Sequence, residues 1–310
     1  MIDLPWVSVC VLTYNPNKDK LIETLKSIAE QEYKNLQIVI SDDGSENNYF
    51  TEAKAFLDDL GCRNYAFVTV PKNQGTVRNM ENALQVCDGD YIKAISPGDY
   101  FVGKQVLSEW VKLLRQSGKV WSFSNAIYYS SPDSDNKIIL KKKANPQMID
   151  VYCRQDEKAS RWNYVVLDDI ALGAAILCKR REFERYIKRI AGRVIYAEDN
   201  IFRIMMFDGL SPMYYPKATI YYECATGIST SGNGVWEKRL RDDWETADKI
   251  MFECPEKEDS FQNKMRNAVI SKKNNRPLDK VIRKLTQKRN LKLYIKHRCH
   301  PRLTETKIES

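Results

Sequence analysis

The first hundred residues alternate short apolar runs with segments of helical period, and that order calls for a parallel sheet covered by helices. Trp6 to Thr13, WVSVCVLT, is a β-rich run that stops at the turn Tyr14-Asn15-Pro16. Leu21, Ile22, Leu25 and Ile28 then recur at helical spacing and predict an amphipathic helix from about Lys18 to Gln31. Leu36 to Ser41, LQIVIS, is a second apolar strand, ending in Asp42-Asp43-Gly44-Ser45. Strand, helix and strand make a βαβ unit, with parallel strands and a right-handed crossover. Residues 51–60 are expected to be helical and Tyr65 to Val70 to be a third strand. Thr76 is expected to cap a helix carrying Val77, Met80 and Leu84 on one face. Tyr91 to Ile95 is the fourth strand, stopped by Pro97 and Gly98. Four strands alternating with three helices give an α/β chain with a doubly wound sheet.

In such a sheet ligands bind beyond the carboxyl ends of the strands. Three strand ends carry polar groups there: Thr13-Tyr14-Asn15, Asp42-Asp43, and Ser96 to Asp99. Asp99, delivered just past the Pro-Gly turn, is expected to face a ligand. Further on, residues 103–117 predict a helix, Val120 to Tyr129 a strand, and Ser130 to Lys143 a polar surface excursion. Asp168-Asp169 precedes a run of small residues, Gly173-Ala174-Ala175, and Lys179 to Arg189 is a charged helix. Ile195-Tyr196-Ala197 is expected to be an apolar strand running into Glu198-Asp199-Asn200, ahead of a buried helix that carries Ile201, Ile204 and Met205. A strand at Thr219 to Tyr222, a loop at residues 227–232, a helix from Trp236 to Phe252 and a basic tail complete the chain. It has no internal repeat and no glycine-rich phosphate loop.

The longest apolar runs, such as Val7 to Leu12, are far short of the roughly 20 residues a membrane-spanning helix requires. The start, MIDLPWVSV, lacks the basic segment and apolar core of a secretory signal. Eight cysteines lie scattered with no CxxC pair, which fits reduced thiols in the cytosol. His297, Cys299 and His300 crowd together, but no second cluster completes a zinc site. Charge is uneven: Phe261 to Leu303 holds fourteen Lys and Arg against one acid, Asp279, so this stretch alone carries +13 in a chain of net +8. The body before it is mildly acidic.

Five segments in this order, VSVCVLTYN, LQIVISDDGS, NQGTVRN, GDYIKAISPGD and the AEDN of residues 197–200, resemble those of family 2 glycosyltransferases of the bacterial polysaccharide type. The likeness runs from about Val7 to Trp236. It implies a GT-A (Rossmann-like) mixed sheet with flanking helices over residues 1–235, followed by a helical basic C-terminal extension over 236–310. It implies a nucleotide-sugar donor, with UDP the nucleotide, and a hydroxyl of a glycan or lipid-linked glycan as acceptor. Tyr14 would then lie against the uracil, an acid of the Asp42-Asp43 pair would accept from its ring N–H, and Arg78 would reach the nucleotide, with Thr13, Asn15, Ser96 and Asp99 completing the donor edge. Related enzymes end the fourth strand in Asp-x-Asp, whose acids hold a divalent cation against the diphosphate. Here Ser96-Pro97-Gly98-Asp99 keeps only the last acid, so Mg²⁺ or Mn²⁺ is expected on Asp99 with phosphate oxygens and water.

The resemblance assigns Asp199 as the base of an inverting transfer and Glu198 as its neighbour in the acceptor pocket. Asp168 and Asp169 are further candidates for acceptor contacts, and residues 227–232 resemble a loop that closes over the donor. Two other readings stand beside this one: a catalytically inactive sugar-nucleotide-binding module, and a nucleic-acid-binding protein acting through the tail. The tail offers only Phe261 and Tyr294 for stacking, which speaks against nucleic acid. Its +13, threaded with Val281, Ile282, Leu285, Leu291, Leu293 and Ile295, is expected to hold a cytoplasmic enzyme of capsule or O-antigen synthesis peripherally on the inner face of the plasma membrane.

Overall fold

The computed structural model describes residues 4–131, 136–224, 234–253, 259–274, 295–296 and 298–304. The opening alternation forms as expected: β1 (Val7–Thr13), α1 (Lys18–Ala29), β2 (Leu36–Asp42), α2 (Phe50–Asp59), β3 (Tyr65–Thr69), α3 (Thr76–Leu84) and β4 (Tyr91–Ile95). β5 (Tyr100–Phe101), α4 (Val106–Ser117), β6 (Trp121–Ser130) and β7 (Ile138–Leu140) follow, then α5 (Asp150–Cys153), α6 (Glu157–Val166), β8 (Ile176–Lys179), α7 (Arg180–Ile190), α8 (Asn200–Phe207) and β9 (Met213–Glu223). Two helices end the described chain, α9 (Gly234–Phe252) and α10 (Ser260–Asn274).

The strands form one mixed sheet in the order β3-β2-β1-β4-β8-β6-β9-β5, with β7 on the side of β6. β1 pairs in parallel with β2 and β4, and β2 with β3. β8 is antiparallel to both β4 and β6, and β6 is parallel to β9. Two antiparallel steps restore direction, so β9 ends on the same edge as β1, β2 and β4.

Side chains alternate between two cores. Val7, Val9 and Val11 face α1, α2 and α4, while Cys10 and Leu12 face the layer of α3, α6, α7 and α8. Leu21, Leu25 and Ile28 of α1 are fully buried, and truncating one, Leu25→Ala, costs about 2–5 kcal/mol on the usual scale. α9 and α10 are not detached from this body: Ala247, Ile250, Met251, Met265 and Val269 are all buried in the second core.

Several expectations are corrected. Thr76 opens α3, but the cap residue is Gly75, and no side chain of the cap bonds the helix. Residues 195–197 are irregular rather than a strand, and β8 takes the short run ILCK just before the charged helix. The polar excursion carries β7. The loop of residues 227–232 and most of the basic tail lie outside the described residues. Where the tail is described again it returns to the body: Arg302 O accepts from Ala144 N at 2.9 Å, and Thr304 N donates to Lys142 O at 2.8 Å.

Candidate active site

Because β1, β2, β4 and β9 end together, their final residues share one edge. Past β1, Asn15 takes a left-handed backbone at φ 45°, which Asn tolerates, and its N–H donates to Ser45 Oγ at 2.6 Å. That tight turn leaves the Tyr14 ring 54% exposed at the edge, as a flat contact for a nucleobase requires. Thr13 is buried, its hydroxyl donating to Asp42 Oδ1 at 2.9 Å.

The two acids after β2 are architectural. Asp42 is 1% exposed and accepts from the Thr13 hydroxyl, the Ser45 hydroxyl, the Ser45 amide at 2.9 Å and the Thr69 hydroxyl at 3.2 Å. Asp43, 2% exposed, accepts the amides of Gln74 and Gly75, each at 2.8 Å, and so fixes the entry to α3. Burial pushes the Asp43 carboxyl up despite those two amides. Four donors fill Asp42, whereas Asp43 retains acceptor capacity on both oxygens.

The end of β4 departs from expectation. Ser96 is exposed, but Asp99 is buried, 4% exposed, with its Oδ1 accepting from the Glu223 amide at 2.9 Å. Thr24 on α1 staples the turn, accepting from Gly98 N at 3.0 Å and donating to Asp99 O at 2.8 Å; the Tyr129 hydroxyl donates to Gly98 O. Burial pushes Asp99 up to about 7, against the Glu223 amide and Lys93. Gly98, at φ 98°, has no room for a side chain, because a Cβ there would overlap Glu223 Oε2. Glu223 itself is ion-paired with Lys20 at 2.5 Å.

These residues do not fit the expected divalent cation. Asp99 is buried and bonded to an amide, an acid in place of Gly98 would be strained at φ 98°, and the neighbouring Glu223 carboxylate is paired with Lys20. Among the described residues no group of three or more His, Cys, Asp or Glu is arranged to hold a metal.

Lys93 reinforces the contrast. Fully buried in the middle of β4, it donates to Ala94 O at 2.7 Å and to Ala174 O, and burial pushes its ammonium down to about 7.

The strand-end edge joins a second set of loops at Gly75. Val77 N donates to Ile195 O at 3.0 Å, and a Cβ on Gly75 would lie 2.5 Å from that oxygen, so only glycine permits the approach. Arg78, in the first turn of α3, pairs with Glu81, and its guanidinium lies against the Gly192 turn. The loop beyond is held from α9: the buried carboxylate of Asp243 accepts the amides of Ile195, Tyr196 and Ala197 at 3.0, 2.6 and 3.1 Å. Nonlocal bonding of this kind, not a sheet ladder, extends residues 195–197.

That loop presents Glu198 and Asp199. Asp199 stands at the cap position of α8, yet its side chain bonds none of the helix amides, which leaves the carboxylate available for chemistry. It packs against Gly173, where a Cβ would come 3.3 Å from its own. Desolvation pushes Asp199 up to about 6 and Glu198 up to about 8, the latter also through the charges of Asp199 and Asp243. Two adjacent desolvated carboxyls that both shift upward hold their protons to higher pH than isolated acids do. Asp169 is instead a loop staple, accepting from Gln147 N at 2.6 Å and Met148 N at 2.9 Å, and Asp168 lies 3.7 Å from Arg203.

Sequence reasoning missed Lys20, Lys93, Glu223 and Asp243. Lys93 left a signal, a lone charge inside the strand YIKAI; the other three are ordinary surface-type charges until the fold pairs them.

A mixed sheet with this donor edge, faced by an uncapped acid pair, defines a glycosyltransferase of the GT-A fold. The chain belongs to glycosyl transferase family 2, whose sequence profile matches residues 8–176. An N-acetylglucosaminyltransferase of Azorhizobium caulinodans is 32% identical over 113 residues, 36% of this chain and 28% of that protein's length. The Escherichia coli UDP-Glc:alpha-D-GlcNAc-diphosphoundecaprenol beta-1,3-glucosyltransferase WfaP is 29% identical over 188 residues, 56% of this chain and 70% of its own. Among solved structures, Pyrobaculum calidifontis mannosyltransferase PcManGT, in complex with GDP-Man and Mn²⁺, aligns over 96% of this chain and 83% of its own at TM-score 0.59 and 15% identity. S. aureus TarS in complex with UDP-GlcNAc aligns over 86% and 71% at TM-score 0.57 and 14% identity. At such identities the structural likeness speaks for the fold.

Proposed function

We propose that the enzyme transfers a sugar from a UDP-sugar to a hydroxyl of a glycan or lipid-linked glycan, with inversion at the anomeric carbon. The observation that carries this reading is Asp199: a carboxylate at a helix start that caps nothing, poised near neutrality at the end of a loop bonded to the donor-side helix. In the reaction the acceptor hydroxyl attacks from the face opposite the leaving diphosphate, Asp199 takes its proton, and Glu198, protonated at neutral pH, donates a hydrogen bond within the acceptor pocket. Tyr14 stacks on the base, Asp43 uses its remaining acceptor capacity for the base edge, and Arg78, Ser96 and the Asn15 turn line the nucleotide. WfaP, whose acceptor is diphosphoundecaprenol-linked, favours a lipid-linked acceptor, and the basic tail would bring the enzyme to the inner membrane surface where such acceptors lie.

The test is a thermal-shift series with UDP, GDP, CMP and UDP-sugars, followed by turnover of a labelled UDP-sugar. UDP should raise the melting temperature, by linkage worth about 2.7 kcal/mol at a hundredfold excess over the dissociation constant. A response to GDP alone overturns the donor, and binding without turnover of any donor leaves a sugar-nucleotide-binding module. Flotation with anionic vesicles, weakening as salt rises, tests the tail; equal behaviour of the full chain and of a full-length variant with Lys280, Arg283, Lys284, Lys288, Arg289 and Lys292 changed to Gln removes its membrane role.

A further inference from the structure

The acids at the β4 and β9 ends come with their own cations. Asp99 and Glu223 lie side by side, the amide of one bonded to the carboxylate of the other. Lys20 touches Glu223 at 2.5 Å, and the field of Lys93 reaches Asp99 from below. Two acids thus lie beside two amines, with the Lys20–Glu223 ion pair the more exposed of the two couples. Lys20 is the outward member of its pair, with its side chain 27% exposed against 3% for Glu223. Its position is built: Asn17 caps α1 by accepting from Lys20 N at 3.1 Å, and α1 starts directly after the Tyr14-Asn15 turn. Glu223 Oε2 reaches the place where a Cβ on residue 98 would stand, and the φ of 98° disfavours any side chain there, so in this chain the Lys20–Glu223 pair lies where an Asp-x-Asp end would carry its second acid.

We infer that Lys20, held by Glu223 over the Gly98 turn, is the cation that faces the donor diphosphate, and that donor binding and transfer proceed without a divalent metal. This deepens the nucleotide-sugar reading and rests on it. An ammonium binds phosphate as a point charge with three donors, of which Glu223 engages one. A fixed ammonium costs little reorganisation as charge develops on the leaving diphosphate. Lys20 is thus a donor-binding residue, and Glu223 is the counter-ion with which the incoming diphosphate competes.

Calorimetric titration of UDP into the full chain, in EDTA and again with Mn²⁺, tests this. UDP should bind in EDTA, with Mn²⁺ changing the affinity by less than about threefold, well under 1 kcal/mol. Two variants separate donor binding from a structural ion pair, since Lys20→Met and Glu223→Gln break the same contact. A structural pair moves both in one direction. A donor cation moves them apart: Lys20→Met should weaken UDP in EDTA by about tenfold, Lys20→Arg should retain most of the affinity, and Glu223→Gln, which releases the ammonium, should bind UDP at least as tightly as the parent. Binding that appears only with Mn²⁺, or parallel losses in the two variants, overturns the inference. If UDP is ignored in both buffers, the nucleotide-sugar reading falls and takes this proposal with it.

Discussion

Asp42-Asp43 and Glu198-Asp199 are both adjacent acid pairs set just beyond an apolar segment, and they end in opposite physical states. Asp42 is filled by four donors and Asp43 is anchored by two backbone amides, so the first pair ties β1, β2, β3 and α3 together. The second pair makes no cap, and its members are pushed up to about 8 and about 6 by desolvation. A carboxylate tied to several partners serves architecture; a desolvated one with no more than its own amide moves toward the pH at which it can exchange a proton.

The contrast is sharpest in substitutions that keep shape. Asp199→Asn should lower transfer from a labelled UDP-sugar by at least about a hundredfold while UDP affinity holds. It should also melt no lower than the parent at pH 7.5. The folded-state value near 6 stands above the ordinary 3.8, so Asp199 favours the fold below pH 3.8 and loses that contribution as pH rises through about 6. Loss of UDP binding in this variant would make Asp199 a donor ligand instead. Asp42→Ala should do the reverse and act on stability first: its buried partners lose their acceptor, at about 1–3 kcal/mol, or several degrees in melting temperature. An unchanged melting temperature would erase the distinction between the pairs.

A pH series probes the second pair alone. Transfer should fall below about pH 6, approaching tenfold per pH unit as Asp199 takes up its proton, and the profile should disappear in Asp199→Asn. The smallest effect is expected at Asp243, which touches Glu198 and Asp199 only through the loop. Asp243→Asn should keep UDP affinity, lower the transfer rate by about tenfold and move the alkaline limb of the pH profile, where Glu198 gives up its proton, to lower pH, as the loss of a neighbouring charge requires. A change in melting temperature without a change in the pH profile would reduce Asp243 to a structural role.

The first four strands and three helices were legible because their side chains alternate or recur every turn, a signal local to each segment. The failures are nonlocal. Residues 195–197 have the composition of a strand, but their amides go to a carboxylate more than forty residues later. Asp99 follows a Pro-Gly turn that favours exposure, and a residue 124 positions on covers it. The place of Asp199 at a helix start was legible in the period of Ile201, Ile204 and Met205, while its role as base is what the resemblance implies; that its side chain caps no amide was not legible.

The contact of Gly75 with Ile195 sets a limit on modularity. Exchanging residues 191–199 between relatives would bring a foreign backbone against position 75, where even a methyl group has no space. The Val77 amide would lose its carbonyl in the same exchange. A graft of residues 191–199 therefore has to carry residues 72–78 and the Asp243 turn of α9 with it, three pieces of sequence that recombine as one.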